Sequence, residues 1–171
     1  MIVVNQYKEI TPEELNKSVF QMIGNEWMLI TAKKDGKANT MTASWGGLGV
    51  MWGKNVCFAF VRPQRYTREF IDASDSFTLT FFDEKYKKEL GYLGKVSGRD
   101  EDKITKSGLT LSECDGAPSF EEAKTVMVCK KLYAGSYRPE DFVDKSIIDE
   151  CYKAGDFHRV YVGEITKIYT R

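Results

Sequence analysis

The chain has 171 residues, and its 25 basic and 25 acidic side chains give it no net charge. Hydrophobic residues make up 42% and charged residues 29%, a balance typical of a globular protein, so we expect a single domain over residues 1–171. We expect no nucleic-acid partner, because such a partner requires a basic surplus or a basic stripe.

The first predicted element is a helix in EITPEELNKSVFQMIGN, residues 9–25. Thr11 is a suitable N-cap, and Glu14 completes a capping box three residues later. Gly24 is expected to end the helix, because glycine favours the residue that follows a last helical turn.

Three strands and a short helix follow in the first half of the chain. EWMLITAKK (26–34) predicts a strand, and the KDGK turn leads to a second strand at ANTMTASW (38–45). NVCFAFV (55–61) is nearly all apolar and predicts a buried strand. RPQRYTREFIDASD (62–75) predicts a loop that becomes a helix.

Strands also dominate the second half. SFTLTFF (76–82) alternates with a period of two, which places Phe77, Leu79 and Phe81 on one face of a strand. Two further strands are predicted at 123–137 and 158–170. Helices are predicted at EKYKKELGYLG and DKSIIDECYKAG. Six strands with peripheral helices predict a mainly β protein, either a barrel or a sandwich.

The beginning of the chain and its cysteines favour a cytoplasmic location. MIVVNQYKEITPEEL lacks the basic and apolar regions of a signal peptide, and no window is apolar enough to cross a bilayer, so we expect no membrane partner. The four cysteines form no CxxC pair and are interpreted as reduced thiols. With His158 as the single histidine, we expect no histidine-based metal site.

NTMTASWGG (39–47) is the first candidate site. Thr40, Thr42 and Ser44 are spaced by two, so on a strand their side chains share one face, and the two glycines allow close approach of a ligand to the backbone. The segment is either a ligand cradle or a half-buried edge strand with a core tryptophan. The residues alone leave both interpretations open.

VRPQRYTRE (61–69) is the second candidate. Arg62, Arg65 and Arg68 are close in sequence, and the planar guanidinium suits a phosphate. The loop leads into a predicted helix, whose first-turn amides would also favour an anion. The alternative is a solvated basic turn whose arginines pair with Glu69 and Asp72.

Two weaker candidates lie further along the chain. SGRDEDK (97–103) either presents Ser97 or Lys103 to a ligand or is a helix start capped by Asp100. His158 is either an acid, base or hydrogen-bond donor towards a substrate or a structural residue.

The order and spacing of five segments resemble the flavin reductase-like family of FMN-binding split-barrel proteins, which includes the flavoredoxins. These segments are DGKANTMTASWG, VRPQRYTREFI, SFTLTFF, SGRDEDKI and GDFHRVYVGEI. The resemblance implies a six-stranded antiparallel split β-barrel with Greek-key connections. It also implies a homodimer that binds FMN near the subunit interface.

The resemblance further implies which residues contact FMN. Those expected at the isoalloxazine ring and the ribityl chain are Asn39, Thr42, Ala43, Ser44 and Trp45. Those expected around the phosphate and the adjoining ribityl are Arg62, Arg65, Tyr66 and Thr67, with Ser97 and Lys103 from a separate loop. GDFH is one residue longer than the GDH signature of the nicotinamide-using flavin reductases, which leaves a nicotinamide contact at His158 open.

The function implied by the resemblance is that of an FMN-dependent oxidoreductase. It would pass electrons or hydride from NAD(P)H or another donor to flavin or a small acceptor, with the flavin supplying the redox chemistry. The alternatives are a non-enzymatic electron carrier of flavoredoxin type between protein partners and a barrel that binds no flavin.

Overall fold

The structure, a computed structural model, describes residues 7–171 and is built around one antiparallel sheet. Its strands are β1 (Lys8–Ile10), β2 (Met28–Lys34), β3 (Lys37–Ala43), β4 (Gly46–Met51), β5 (Lys54–Val61), β6 (Ser76–Phe81), β7 (Leu111–Cys114), β8 (Ala117–Phe120), β9 (Thr125–Ser136) and β10 (Arg159–Thr170). Eight of them form the main sheet, in the order β3-β2-β6-β9-β10-β5-β4 with β1 also paired to β10. β7 and β8 form a separate hairpin.

Helices occupy the connections between the strands. They are α1 (Thr67–Ala73), α2 (Lys87–Lys95), α3 (Lys103–Ser107) and α4 (Ser146–Cys151), with 3₁₀ turns at Pro12–Glu14, Glu84–Tyr86 and Pro139–Asp141 and a π-helical turn at Gln21–Glu26. Within residues 7–171, none of the helices has the length and hydropathy that a bilayer crossing requires. The predicted mainly β architecture with peripheral helices is therefore confirmed.

The number of strands differs from the prediction. All six predicted strands are present, and β1, β4, β7 and β8 are additional. Two of these additional strands meet at Asp115–Gly116, where both residues have positive φ. The same backbone conformation occurs at Asp35–Gly36 between β2 and β3 and at Trp52–Gly53 between β4 and β5. Two positive-φ residues make the type I′ turn that matches the twist of a two-residue hairpin.

The helix predicted over residues 9–25 is wrong. Glu14 does accept a 2.7 Å hydrogen bond from the Thr11 backbone N–H, as expected of a capping box. The helix nevertheless stops there, because Leu15 is extended, and the segment before Thr11 is instead β1, whose backbone pairs with the end of β10. A second helical turn passes Gly24 and ends at Glu26.

β2, β6 and the first half of β9, at the centre of the main sheet, are buried on both faces. One core cluster contains Phe77, Leu79 and Phe81, which confirms that these residues share a face of β6. A second cluster, around Leu90 and Phe120, covers the opposite face with α2 and β8. The threonines that alternate with the phenylalanines are therefore buried as well.

The centre of the sheet bends at β10. Its pairing with β9 shifts register twice, between Val162 and Gly163 and between Ile165 and Lys167. Such bulges increase strand twist and allow one strand to serve two partners. The first half of β10 pairs with β5, and its last residues pair with β1.

Replacement of Gly163 with alanine tests this close packing. A Cβ at this position would lie 2.9 Å from Phe77 Cζ and 3.0 Å from Cys129 Cβ, so a buried ring or a strand must move. We expect G163A to lower the free energy of unfolding by about 1–3 kcal/mol in chemical denaturation.

The matched control is G49A on β4, where the nearest atom to a new Cβ is 3.7 Å away. We expect G49A to stay within about 0.5 kcal/mol of the wild type. Equal losses for the two variants would contradict the packing described at Gly163.

Candidate functional site

Two cavities adjoin near the ends of β3 and β5 and share Met41, Arg62 and Arg65 in their linings. The Trp45 cavity, of about 180 Å³, is lined by Met41, Thr42, Ala43, Ser44, Trp45, Phe60, Arg62, Arg65 and His158. The Lys103 cavity, of about 250 Å³, is lined by Met41, Arg62, Gln64, Arg65, Tyr66, Thr67, Lys95, Val96, Ser97 and Lys103. The structure therefore brings together almost all of the residues expected at a flavin, and it places the separate candidate His158 in the wall of the Trp45 cavity.

Asn39 is the one predicted cofactor residue that lies outside both cavities. Its buried side chain donates a 2.8 Å hydrogen bond from Nδ2 to Thr67 Oγ1 and lines a third cleft, which shares Tyr66 and Lys103 with the Lys103 cavity. A Cβ on Gly98 would lie 2.2 Å from Asn39 Oδ1, so the loop before α3 packs directly against it. In this structure Asn39 supports Thr67 and that loop.

The end of β3 presents consecutive residues to the Trp45 cavity. The strand stops at Ala43, so the residues after it no longer alternate between two faces. Thr40 is fully buried, and its hydroxyl lies 2.8 Å from Thr31 Oγ1, which fits the half-buried-strand interpretation for this residue. Thr42 Oγ1 donates to the Leu90 carbonyl of α2 at 2.5 Å.

Trp45 is 49% exposed, so the interpretation that it is a core residue is wrong. Its ring lies 5.3 Å from the His158 ring, tilted by 48°. β3 is an edge strand as expected, because β2 is its only partner in the sheet order. A half-exposed indole in the wall of a cavity is available to flank a flat ligand.

Arg62 is held by the connection between β9 and β10. Its Nη1 lies 2.6 Å from Asp156 Oδ2, and its Nη2 donates to the Cys151 carbonyl at 3.1 Å. Gln64 Nε2 donates to the same Asp156 oxygen at 2.8 Å, and the hydrogen bond from Gln64 and the pairing with Arg62 lower the pKa of Asp156. Arg68 pairs with Asp72, as the alternative of a solvated basic turn implied. Glu69 pairs instead with Arg99, which lies outside this motif.

Arg65 and Lys103 converge on the C-terminal end of α2. Arg65 Nη1 donates to the Gly94 carbonyl at 2.7 Å, and Lys103 Nζ donates to the Leu93 and Val96 carbonyls at 2.9 Å each. Among residues 7–171, no carboxylate lies within 4.0 Å of either cation. The partial negative charge of a helix C-terminus favours cations, but it does not neutralise two of them.

The surroundings of Lys103 and Arg65 lower the pKa of both side chains. Burial, followed by the charge of Arg65, lowers the pKa of Lys103 to about 8. Burial and the neighbouring Arg62 lower the pKa of Arg65. The Lys103 cavity therefore carries an excess of buried positive charge that an anion would relieve.

The N-termini of α1 and α3 offer fewer free donors for an anion than the sequence suggested. The N–H groups of Arg68 and Glu69 in α1 already donate to the Arg65 and Tyr66 carbonyls. α3 is capped by Asp102, whose side chain accepts from the Thr105 N–H at 3.2 Å, so the expected cap at Asp100 is wrong. The side chains around the Lys103 cavity, more than these helix starts, define its charge.

His158 is buried, and its Nδ1 lies 2.7 Å from the Tyr152 hydroxyl. Burial, followed by the positive charge of Arg62, lowers the pKa of His158 to about 4, although Asp156 opposes this shift. The imidazole is therefore uncharged at neutral pH. An uncharged imidazole offers one donor and one acceptor nitrogen.

Sequence reasoning missed several residues of the two cavities. Phe60 faces the Trp45 cavity from a strand that was predicted only as core, and Gln64 lies within the arginine motif itself. Lys95 and Val96 directly precede the predicted 97–103 loop, so proximity was the available signal. Tyr152 and Asp156 reach the site from the connection between β9 and β10. Asp156 lies in the GDFH segment beside His158, whereas no local pattern identifies Tyr152.

Comparisons with known proteins agree with this architecture. The family model described as flavin reductase like domain matches residues 21–171. The FMN-binding domain of a flavin reductases-like enzyme from Shewanella baltica OS155 superimposes with a TM-score of 0.70 at 17% identity, covering 96% of this chain and 76% of that chain. A sequence search among curated proteins gives no match.

Two flavoredoxins have similar folds. The flavoredoxin from Methanosarcina acetivorans has a TM-score of 0.67 at 24% identity, covering 85% of this chain and 68% of that chain. The flavoredoxin of Desulfovibrio vulgaris (Miyazaki F) has a TM-score of 0.66 at 20% identity, covering 94% and 77%. Identities this low show a shared fold, and the family match extends over most of the sequence. The chain belongs to the flavin reductase like domain family, which confirms the resemblance found in its motifs.

Proposed function

We propose that the protein is an FMN-binding oxidoreductase. The isoalloxazine ring would occupy the Trp45 cavity, and the phosphate would occupy the Lys103 cavity. The observation that carries this proposal is that the two cavities adjoin through Met41, Arg62 and Arg65, with an aromatic wall in one and uncompensated cations in the other. A single elongated ligand with a flat ring and an anionic end fits both requirements.

The donors around the Lys103 cavity fit a phosphate. Arg65 has five N–H donors, and Lys103 has three. Only one Arg65 nitrogen and two bonds from Lys103 are used by the α2 carbonyls, so donors remain for an anion. Hydrogen bonds between ionised partners are the stronger class, and a dianion would also relieve the repulsion between these cations.

The Trp45 cavity fits a planar heteroaromatic ring. Met41 and Phe60 supply apolar surface, and Trp45 supplies an exposed aromatic face. The backbone and hydroxyls of residues 42–44 supply polar groups for the ring edges. Binding sites for small molecules typically combine an apolar lining with a few polar groups in this way.

The bound flavin would supply the electron and hydride transfer. The chain's own residues would bind and orient it: Arg65 and Lys103 hold the anionic end, and Trp45 limits access to the ring. His158 remains uncharged in the wall of the same cavity and can donate or accept one hydrogen bond there. No protein nucleophile is required by this scheme.

Two kinds of oxidoreductase role remain as candidates. An enzyme would accept reducing equivalents from NAD(P)H or another small donor, and the open side of the Trp45 cavity favours this role. A flavoredoxin-type carrier would exchange electrons with a protein partner, and the similar folds of two flavoredoxins support that alternative.

We also propose that the protein forms a homodimer through the hairpin of β4 and β5. β4 lies at an edge of the main sheet, and Val50 and Trp52 are 71% and 55% exposed. Neighbouring exposed apolar side chains on a sheet edge are typical of an interaction surface.

We expect sedimentation velocity to show a dimer that V50K/W52K converts to a monomer. The control V143K, at a fully exposed valine elsewhere, should have no effect. A monomeric wild type would contradict this.

The phosphate assignment predicts the affinity of arginine variants for FMN. We expect R65A to weaken FMN binding by about 1–3 kcal/mol, the range for a hydrogen bond to a charged group. R62A should weaken binding as well, because it removes a cation that lines both cavities and leaves the Asp156 carboxylate with the neutral Gln64 as its side-chain partner. Quenching of FMN fluorescence on titration with protein measures the dissociation constant.

R68A is the matched control, because Arg68 pairs with Asp72 and lines neither cavity. We expect R68A to bind FMN as the wild type does. If R65A and R62A both retain wild-type affinity, the phosphate lies elsewhere. A protein that shows no yellow absorbance and quenches no FMN fluorescence would support the alternative of a flavin-free barrel.

Steady-state turnover separates the enzyme from the carrier. The FMN-loaded protein is mixed with NADH or NADPH and an artificial electron acceptor, and oxidation of the nicotinamide is followed by absorbance. The enzyme proposal predicts turnover that depends on protein concentration. Negligible turnover with both nicotinamides, in a protein that binds FMN, would contradict nicotinamide-dependent activity and favour a carrier.

A further inference from the structure

His158 and Tyr152 form a buried polar pair beside the Trp45 cavity. Their side chains belong to residues that are 7% and 6% exposed, and the Tyr152 hydroxyl lies 2.7 Å from His158 Nδ1. Phe157 stacks on Tyr152 at 4.8 Å, and Phe142 contacts both rings. This aromatic packing restricts the orientation of Tyr152 and hence of its hydroxyl.

The hydrogen-bond inventory determines which atom donates. Within residues 7–171, Nδ1 of His158 is the only hydrogen-bond partner of the Tyr152 hydroxyl. If Nδ1 carried the proton, it would donate to the phenol oxygen and leave the buried phenolic proton without an acceptor. A buried unsatisfied donor costs about 1–3 kcal/mol, so the satisfied arrangement has Tyr152 donating to Nδ1.

The proton of the imidazole then resides on Nε2. A neutral imidazole carries one N–H, and acceptance at Nδ1 assigns it to the other nitrogen. Nε2 makes no hydrogen bond to another residue of the described chain, whereas His158 as a whole lines the Trp45 cavity. Its N–H is therefore the donor that remains for a ligand in that cavity.

The charges facing His158 maintain its neutral form. Arg62 and Arg65 disfavour a second positive charge, and Asp156 favours one. Asp156 is, however, bonded to both Arg62 and Gln64, so its charge is largely compensated. The Arg62 guanidinium also lies 5.1 Å from the centre of the Tyr152 ring, which places a fixed cation against the pair.

We propose that Tyr152 is a positioning residue that holds His158 as a neutral Nε2–H donor for a carbonyl or carboxamide oxygen of a small ligand in the Trp45 cavity. This role rests on the proposed function for its ligand but not for its geometry. Tyr152, in the connection between β9 and β10, would thereby favour ligands that carry a hydrogen-bond acceptor.

Nitrogen-15 NMR tests the protonation directly, because His158 is the only histidine and its ring signals need no assignment. In the flavin-free protein at pH 7, we expect an imine-type resonance for Nδ1 and an amine-type resonance for Nε2. Y152F should shift both resonances towards a mixture of tautomers and raise the pKa of His158, because the donor that stabilises the neutral ring is lost.

Y137F is the matched control. Tyr137 belongs to the same aromatic cluster, packing against Phe60 and Phe142, but its hydroxyl makes no hydrogen bond to His158. We expect Y137F to leave the tautomer and the pKa of His158 unchanged. An amine-type Nδ1 in the wild type, or equal spectra for Y152F and the wild type, would overturn the proposal.

The proposed role of Tyr152 and His158 towards a ligand is tested by the rate at which NADH and NADPH reduce the FMN-loaded protein under anaerobic conditions. Y152F and H158Q should each slow reduction on the order of threefold to tenfold, the effect of one hydrogen bond, and the double variant should be no slower than H158Q. The FMN affinity of Y152F should stay at the wild-type value, because Tyr152 lines neither cavity. Unchanged reduction in Y152F would overturn the positioning role even with the expected spectra.

Failure of the proposed function is distinguishable from failure of this inference. A wild-type protein that binds no FMN contradicts the proposed function, whereas the NMR experiment needs no flavin. The tautomer of His158 thus supports or overturns the role of Tyr152 independently of the cofactor.

Discussion

The unbalanced positive charge at the C-terminal end of α2 is the constraint on which the site depends. Arg65 lies in the loop before α1, Lys103 is the first residue of α3, and both donate to carbonyls of the turn at the end of α2. Gly94 lets this turn approach β3, since a Cβ there would lie only 3.2 Å from Thr42 Cβ. The same turn thereby fixes the cations and the strand that lines the neighbouring cavity.

A second set of contacts fixes the opposite wall. Arg62 follows β5, yet its hydrogen bonds lead to Asp156 and the Cys151 carbonyl in the connection between β9 and β10. That connection also carries Tyr152 and His158. Arg62 therefore links the cationic end of the site to the histidine, so its replacement is expected to affect both cavities.

Much of the fold followed from local patterns. Alternation in SFTLTFF predicted the buried face of β6. Asp35–Gly36 predicted the hairpin of β2 and β3, because few other residue pairs accept two positive φ angles. The segments around Asp115–Gly116 are too short and irregular to show a strand period, so the same turn signal was overlooked. The error at residues 9–25 has another cause: an N-cap signal gives the start of a helix but not its length, and pairing of β1 with β10 is a distant contact that local propensity cannot show.

The site was less predictable than the fold. The order of the motifs identified most of the residues that line the two cavities. Asn39, however, donates a hydrogen bond to Thr67, and the Thr40 hydroxyl is hydrogen-bonded to Thr31 within the sheet. Those outcomes depend on which polar groups approach from other strands and helices. Asp156 belongs to the GDFH segment, but its pairing with Arg62 and the contact of Tyr152 with His158 become visible only in the folded chain.

A crystal structure of the protein soaked with FMN tests the central claim most directly. We expect the phosphate between Arg65 and Lys103 and the isoalloxazine ring against residues 42–45, so that FMN spans the two adjoining cavities. Density for FMN in another cleft, with Arg65 and Lys103 still bonded only to the α2 carbonyls, would contradict that claim.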